Sequence, residues 1–219
     1  DINPRGRVYV LPVIGGFVGG DMVAGIETTR LEESESPALL IDIGTNGELA
    51  LIHNGKLAAT SCAAGPAFEG ARISCGMRAA AGAIEGIVLD DDVRTTTIGG
   101  GAAIGLCGSG LIDLAAELLR KGILTSQGMF VARDALPVSL PEALRERVVE
   151  DESGAAFLFA CVDETLAGRP LLLTQRDIRE LQLATGAIRA GISILLKRAG
   201  LEVSRLSRVY VAGGFGNYI

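Results

Sequence analysis

At 219 residues, 48 % of them apolar, the chain can build one large domain or two small ones around a sizeable core. Its formal charge of −6 and its scattered Lys and Arg argue against a nucleic-acid partner, whose phosphates demand a clustered basic face. No apolar run reaches the roughly 18 residues that cross a bilayer, and Asp1-Ile2-Asn3-Pro4 lacks the basic and apolar stretches of a signal peptide, so no membrane partner and a cytoplasmic location are the default expectations.

In chain order, Val8 to Ile14 reads as a buried strand, and the glycine-rich stretch from Gly15 to Asp21 as a tight turn into a short helix running toward Ile26. Residues 30–37, rich in Glu and Ser, form an exposed loop. Ala38–Ile43 and Gly47–Ile52 are apolar strands, and Asn54-Gly55 before Lys56–Ser61 marks a hairpin, because a type I′ turn needs positive φ at both central positions. The glycine-rich segment 65–86 is expected to hold a helix or two. Gly108-Ser109-Gly110 opens an amphipathic helix, Leu111 to Arg120, with Leu111, Leu114, Ala115, Leu118 and Leu119 on one face. Residues 125–170 are irregular and are read as a peripheral insertion of short strands. Thr174-x-x-Asp177 resembles a capping box that starts a helix running to Gly200, and Val209–Ala212 is a buried strand ending in Gly213-Gly214-Phe215-Gly216. Cys62, Cys75, Cys107 and Cys161 are widely spaced, contain no C-x-x-C pair and have only His53 as an imidazole companion. Free thiols are therefore expected, with no zinc site and no complete cluster within one chain.

Three segments carry candidate chemistry. In Asp42-Ile43-Gly44-Thr45-Asn46-Gly47-Glu48, an apolar strand delivers an acid into a glycine turn. Such a turn aims backbone N–H groups at phosphate oxygens, Asp42 can hold Mg²⁺ through its waters, and Thr45 or Asn46 can donate further hydrogen bonds. An ordinary hairpin with a buried Asp would look the same, and that alternative stays open. In Gly65-Pro66-Ala67-Phe68-Glu69-Gly70, small residues admit a ligand and Glu69 either places a water or caps a helix. Gly213, Gly214 and Phe215 end a strand where the backbone can pass beneath an adenine or ribose. The triplet Gly105, Gly108 and Gly110 imitates a dinucleotide fingerprint without its spacing or its following acid, and no G-x-x-x-x-G-K-[ST] occurs, so NAD and P-loop chemistry are set aside.

Taken as a set, DIGTNGE (42–48), AAGPAFEGA (63–71), GMRAAAGAIEG (76–86), GLCGSGLIDLAAELL (105–119) and AGGFGNYI (212–219) resemble the C-terminal ATPase domain of the reductive activators of corrinoid proteins, within the actin, sugar-kinase and chaperone superfamily. The resemblance implies an α/β actin-like, ribonuclease H-like mixed sheet flanked by helices. It implies ATP and Mg²⁺ as cofactors, Asp42 as metal holder and catalytic group together with Glu69, and Gly44, Thr45, Asn46, Gly47 and Gly65 around the phosphates. Gly213, Gly214 and Phe215 then meet the adenosine. The implied activity is ATP-driven return of a Co(II) corrinoid to Co(I) on a methyltransferase or corrinoid protein, by a homodimer. Such activators carry an iron–sulfur domain and a middle domain with a first phosphate loop; both are expected to be absent here, so residues 1–219 are read as the C-terminal part of the ATPase domain, inactive alone. Two alternatives stay open. One is an actin-like docking or dimerisation module using the helix 175–199; the other is an activator of the 2-hydroxyacyl-CoA dehydratase type, whose Cys-Ala-Ala-Gly string matches Cys62-Ala63-Ala64-Gly65.

Overall fold

The structure is a computed structural model and describes residues 5–214 except 153. Its elements are, in chain order, helix α1 (Gly20–Thr29), strands β1 (Ala38–Ile43), β2 (Gly47–His53), β3 (Lys56–Cys62), β4 (Ala83–Leu89), β5 (Val93–Thr97) and β6 (Gly105–Leu106), helices α2 (Gly108–Arg120) and α3 (Glu142–Glu146), strands β7 (Val148–Asp151), β8 (Gly154–Ala160) and β9 (Leu171–Thr174), helix α4 (Gln175–Ala199) and strand β10 (Arg208–Ala212). They divide into two compact units, one formed by the chain up to Ala63 and from Ala187 onward, the other by Ala64–Gly186.

The first unit is a four-stranded sheet in the order β10-β1-β2-β3, with β1, β2 and β3 antiparallel and β10 parallel to β1. Alternation along the strands sends Ala38, Leu40, Ala50 and Ile52 to one face, where they meet Met22 and Ile26 of α1 together with Val18 and Leu31. Leu39, Leu49 and Leu51 go to the other face, against Leu195 and Leu196 of α4. Burial on both faces is why β1 and β2 read as continuous apolar runs rather than as an alternation. Asn54 and Gly55 take φ of 51° and 69°, as the hairpin signal requires.

Two expectations for this unit change. Residues 8–14 form no strand: Val8, Tyr9 and Val10 are more than four-fifths exposed. An apolar run becomes a strand only where a neighbour takes its backbone hydrogen bonds, and the sheet ends at β10 and β3 without it. Strand β10 does form, yet Val209 and Val211 are about half exposed because β10 is an edge strand.

The second unit contains two three-stranded sheets, β5-β4-β6 and β7-β8-β9. Helix α2 packs on β4 through Leu111, Leu114 and Leu118, as its spacing anticipates, while Leu119, expected on the same face, is about half exposed; Glu117 accepts a hydrogen bond from the Leu89 amide at 2.8 Å. The stretch 125–170 supplies α3, β7 and β8. The helices expected within 65–86 are replaced by nested turns before β4, with Glu69 and Gly70 donating to the carbonyls of Pro66 and Ala67. Gly70 has φ 77°, and Gly76 lies so close to its carbonyl that a side chain there would overlap backbone, a packing no helix allows. The capping box at the start of α4 is realised. Asp177, fully buried, accepts from the Thr174 amide and hydroxyl at 2.9 Å each and from the Ser74 amide at 2.8 Å, while its own amide donates to the Thr174 hydroxyl.

Candidate nucleotide site

The turn after β1 is built by register. Asp42 pairs with Glu48 and Ile43 with Gly47, so only Gly44, Thr45 and Asn46 are left to reverse the chain. The Gly44 amide donates to the Asn46 carbonyl at 3.1 Å, closing the turn internally, while Thr45 and Asn46 stand exposed at its tip. Gly47 is buried: a Cβ there would lie 2.9 Å from both Cys62 Sγ and Ile188 Cγ1. The Cys62 thiol donates to the Gly47 carbonyl at 2.9 Å, so β3 and α4 together pin the far end of the turn. Burial pushes the Cys62 thiol above its ordinary range.

Parallel pairing of β10 with β1 places Ala212 opposite Asp42, which brings Gly213 against the acid. A Cβ on Gly213 would sit 2.6 Å from Asp42 Oδ1 and 2.7 Å from the Ile43 carbonyl oxygen, and its φ of 94° is one that L side chains rarely adopt. Gly213 is therefore glycine for two independent reasons. Gly214 meets nothing within 4 Å, and Phe215 lies outside the described residues. Gly65, at φ 77°, and the exposed Glu69 belong to the second unit; Asp42, Gly44, Thr45, Asn46, Gly47 and Gly213 share the first.

One acid escaped notice in the sequence. Asp21 occupies the first turn of α1, its carboxylate accepting from the Met22 amide at 2.8 Å. Burial, and then the charge of Asp21, raise the Asp42 carboxyl above the usual carboxylate range. Glu48 is raised likewise, by burial first and then by Asp21 and Asp42. The three negative groups thus converge at one end of the sheet. The available signal was Gly19-Gly20-Asp21, glycines leading an acid into a helix start. No three His, Cys, Asp or Glu among the described residues come close enough to enclose a metal by themselves.

A strand hairpin that carries an acid into a short exposed turn, flanked by a parallel strand ending in glycine, is the construction of an actin-like ATPase, or ASKHA, domain, and the relatives have that fold. A solved structure of a "reductive activator for corrinoid,iron-sulfur protein" aligns with 98 % of this chain at TM-score 0.85 and 40 % identity, covering 33 % of its own length. Residues 36–219 match the family described as the C-terminal domain of RACo, the ASKHA domain, and the chain belongs to that family. Residues 1–34 match the RACo middle region, although α1, within that segment, packs in one cluster with β1 and β2.

The "corrinoid activation enzyme RamQ" of Eubacterium limosum is 39 % identical over 220 residues, spanning 100 % of this chain and 36 % of that protein. A Methanosarcina barkeri "[Co(II) methylated amine-specific corrinoid protein] reductase" is 28 % identical across 97 % of the chain and 38 % of its own length. The chain thus spans little more than a third of the curated relatives it matches. No helix among the described residues is long and apolar enough to cross a membrane.

Proposed function

We infer that the chain is the ATP-binding part of an ATP-dependent reductive activator, which returns the Co(II) corrinoid of a partner methyltransferase or corrinoid protein to Co(I). The observation that carries the nucleotide half is the placement of Asp42 and Gly213 side by side at the ends of two parallel strands, next to an exposed turn. The corrinoid half rests on the activities for which the relatives are named.

Mg²⁺ suits the donor set. Asp42 and Asp21 offer hard oxygens, their mutual repulsion is relieved by a cation, and because no three acids among the described residues are placed to enclose an ion by themselves, positions remain for water and phosphate, as Mg²⁺ prefers. Asp42 would hold the ion, which when bound neutralises phosphate charge. Thr45 and Asn46 present the tip of the turn to phosphate oxygens, and Gly213 keeps β10 low enough for adenosine to lie over it. Nucleotide can drive an unfavourable reduction only by binding two states of the protein with different affinity; the electron itself comes from the iron–sulfur domain that such activators carry.

Calorimetric titration of MgATP into the wild type, Asp42→Asn and Gly213→Ala tests the site. Each substitution is expected to weaken binding at least about tenfold, the value of one charge-assisted contact. Wild-type affinity in Asp42→Asn would remove Asp42 from the site.

A further inference from the structure

Two carboxylate side chains among the described residues are buried, Asp177 and Glu48. The fold accounts for Asp177: the amides and hydroxyls of Ser74 and Thr174 satisfy it at the start of α4. Glu48, 9 % exposed, has no such role. It accepts from its own amide and from the Ser61 hydroxyl, and no Lys, Arg or His forms an ion pair with it among the described residues.

Strand register fixes what surrounds it. Asp42 stands beside Ala212 of β10 and opposite Glu48 of β2, and Glu48 in turn stands opposite Ser61 of β3, so the four make one row across the sheet. Ala212 packs with Met22 and Ile26 of α1, which puts the row on the α1 face, where Asp21 lies in the first turn of that helix. Side chains directly opposed in such a row have Cβ atoms about 4.5–5.5 Å apart. Asp42 and Glu48 are therefore like charges set across from each other, which destabilises a sheet, and burial removes the water that would screen them.

Asp21 adds a third negative charge to the same end of the unit. None of the three acids meets a cationic side chain among the described residues. An amide or apolar residue at position 48 would serve folding alone better than an uncompensated carboxylate. The balancing charge has to arrive with a ligand. The three acids are not placed to enclose an ion by themselves, so Glu48 acts from behind Asp42, through its charge, rather than as a further direct ligand.

We propose that Glu48 is a positioning residue that makes nucleotide binding depend on a divalent cation: its charge beside Asp42 strengthens the hold on the cation and repels bare polyphosphate. This rests on the nucleotide reading of Asp42 given above, and it adds a selection: ATP enters with its metal and is turned away without it.

The test titrates ATP by calorimetry in saturating Mg²⁺ and again in EDTA, for the wild type, Glu48→Gln, Glu48→Asp and Asp42→Asn. The quantity read is the ratio of the two affinities, the factor by which the metal strengthens nucleotide binding. Gln keeps the length of Glu and a bonding partner for Ser61 while losing the charge. In Glu48→Gln the ratio is expected to fall at least about tenfold, within the roughly 5–150-fold of typical coupling between two ligands, with metal-free ATP bound more tightly than by the wild type. Glu48→Asp, which keeps the charge, should hold the ratio to within about threefold of wild type. A role confined to packing weakens both forms alike and leaves the ratio unmoved; that result overturns the proposal, as does an equal fall in Glu48→Asp. A ratio lowered in Asp42→Asn but unchanged in Glu48→Gln overturns this proposal alone. Failure of the wild type to bind MgATP, or a wild-type ratio in Asp42→Asn, overturns the nucleotide reading and this proposal together.

Discussion

Replacing Gly110 in α2 by Ala sets two effects of similar size against each other. In a helix interior the change is worth about 1 kcal/mol in favour of folding, because Ala loses less backbone freedom than Gly. Here the new methyl would fall inside the contact distance of the Ile84 carbonyl oxygen, 2.9 Å from Leu106 Cδ1 and 3.1 Å from the Ile84 carbonyl carbon. That carbonyl already receives the Cys107 amide at 3.1 Å and the Cys107 thiol at 3.2 Å, so it has little room to yield. The helix must lift from β4 by about 0.5–1 Å, a gap that forfeits a quarter to a half of the dispersion energy of each contact it opens. Leu111 and Leu114, 1 % and 0 % exposed, sit in the lifted turn. Overpacking of this kind costs about 2–3 kcal/mol against the helical gain of about 1, leaving a net loss of about 1–2 kcal/mol. For a chain of 219 residues that lowers Tm by about 2–8 °C. Gly186 in α4 provides the control: a Cβ there meets nothing within 4 Å, so Gly186→Ala gains about 0.5–1 kcal/mol and raises Tm by about 1–4 °C. Urea and thermal denaturation followed by circular dichroism read both. Shifts of the same sign in the two variants would refute the packing role assigned to Gly110.

Asp42→Asn should stabilise the nucleotide-free protein while weakening MgATP binding at least about tenfold. The folded protein holds the Asp42 carboxyl above its unfolded pKa, so it favours the protonated form, and that advantage fades as pH rises through the raised value. The variant is therefore expected to exceed the wild type in urea resistance at pH 7 and to converge with it at the acid end of the titration; lower stability at pH 7 contradicts a carboxylate disfavoured by burial and by Asp21. Asp177→Ala strands the amides and hydroxyls of Ser74 and Thr174 and is expected to cost about 2–4 kcal/mol, measured as a fall in the urea midpoint at unchanged slope. Burial, with the charge of Asp177, pushes the Cys75 thiol up to about 12, so at pH 7.5 iodoacetamide should leave Cys75 unmodified in the folded protein and alkylate it in urea, with mass spectrometry of the peptides as the readout.

Much of the candidate site was legible in the sequence because local rules wrote it. Two apolar runs around Asn-Gly specify a hairpin, and the residues just before that hairpin place Asp42 at the head of a glycine turn whatever lies around it. The α2 face and the Thr174–Asp177 cap are equally local, since helical spacing and a three-residue separation settle them. The misreadings came where distant chain decides. Val8–Ile14 has the composition of a buried strand and lacks a neighbouring strand; residues 65–86 have small residues suited to a helix, yet Gly70 and Gly76 close on each other first.

The sequence by itself determined the hairpin, the acid at its turn and the order of the glycine segments, all carried by backbone preferences within a few residues. Only tertiary structure decided that Gly213 lies against Asp42, 171 positions apart in the numbering, and that Asp21 shares their field. Those facts depend on strand pairing and on which side chains meet across a sheet, and pairing between distant segments leaves no mark in the local pattern of either one.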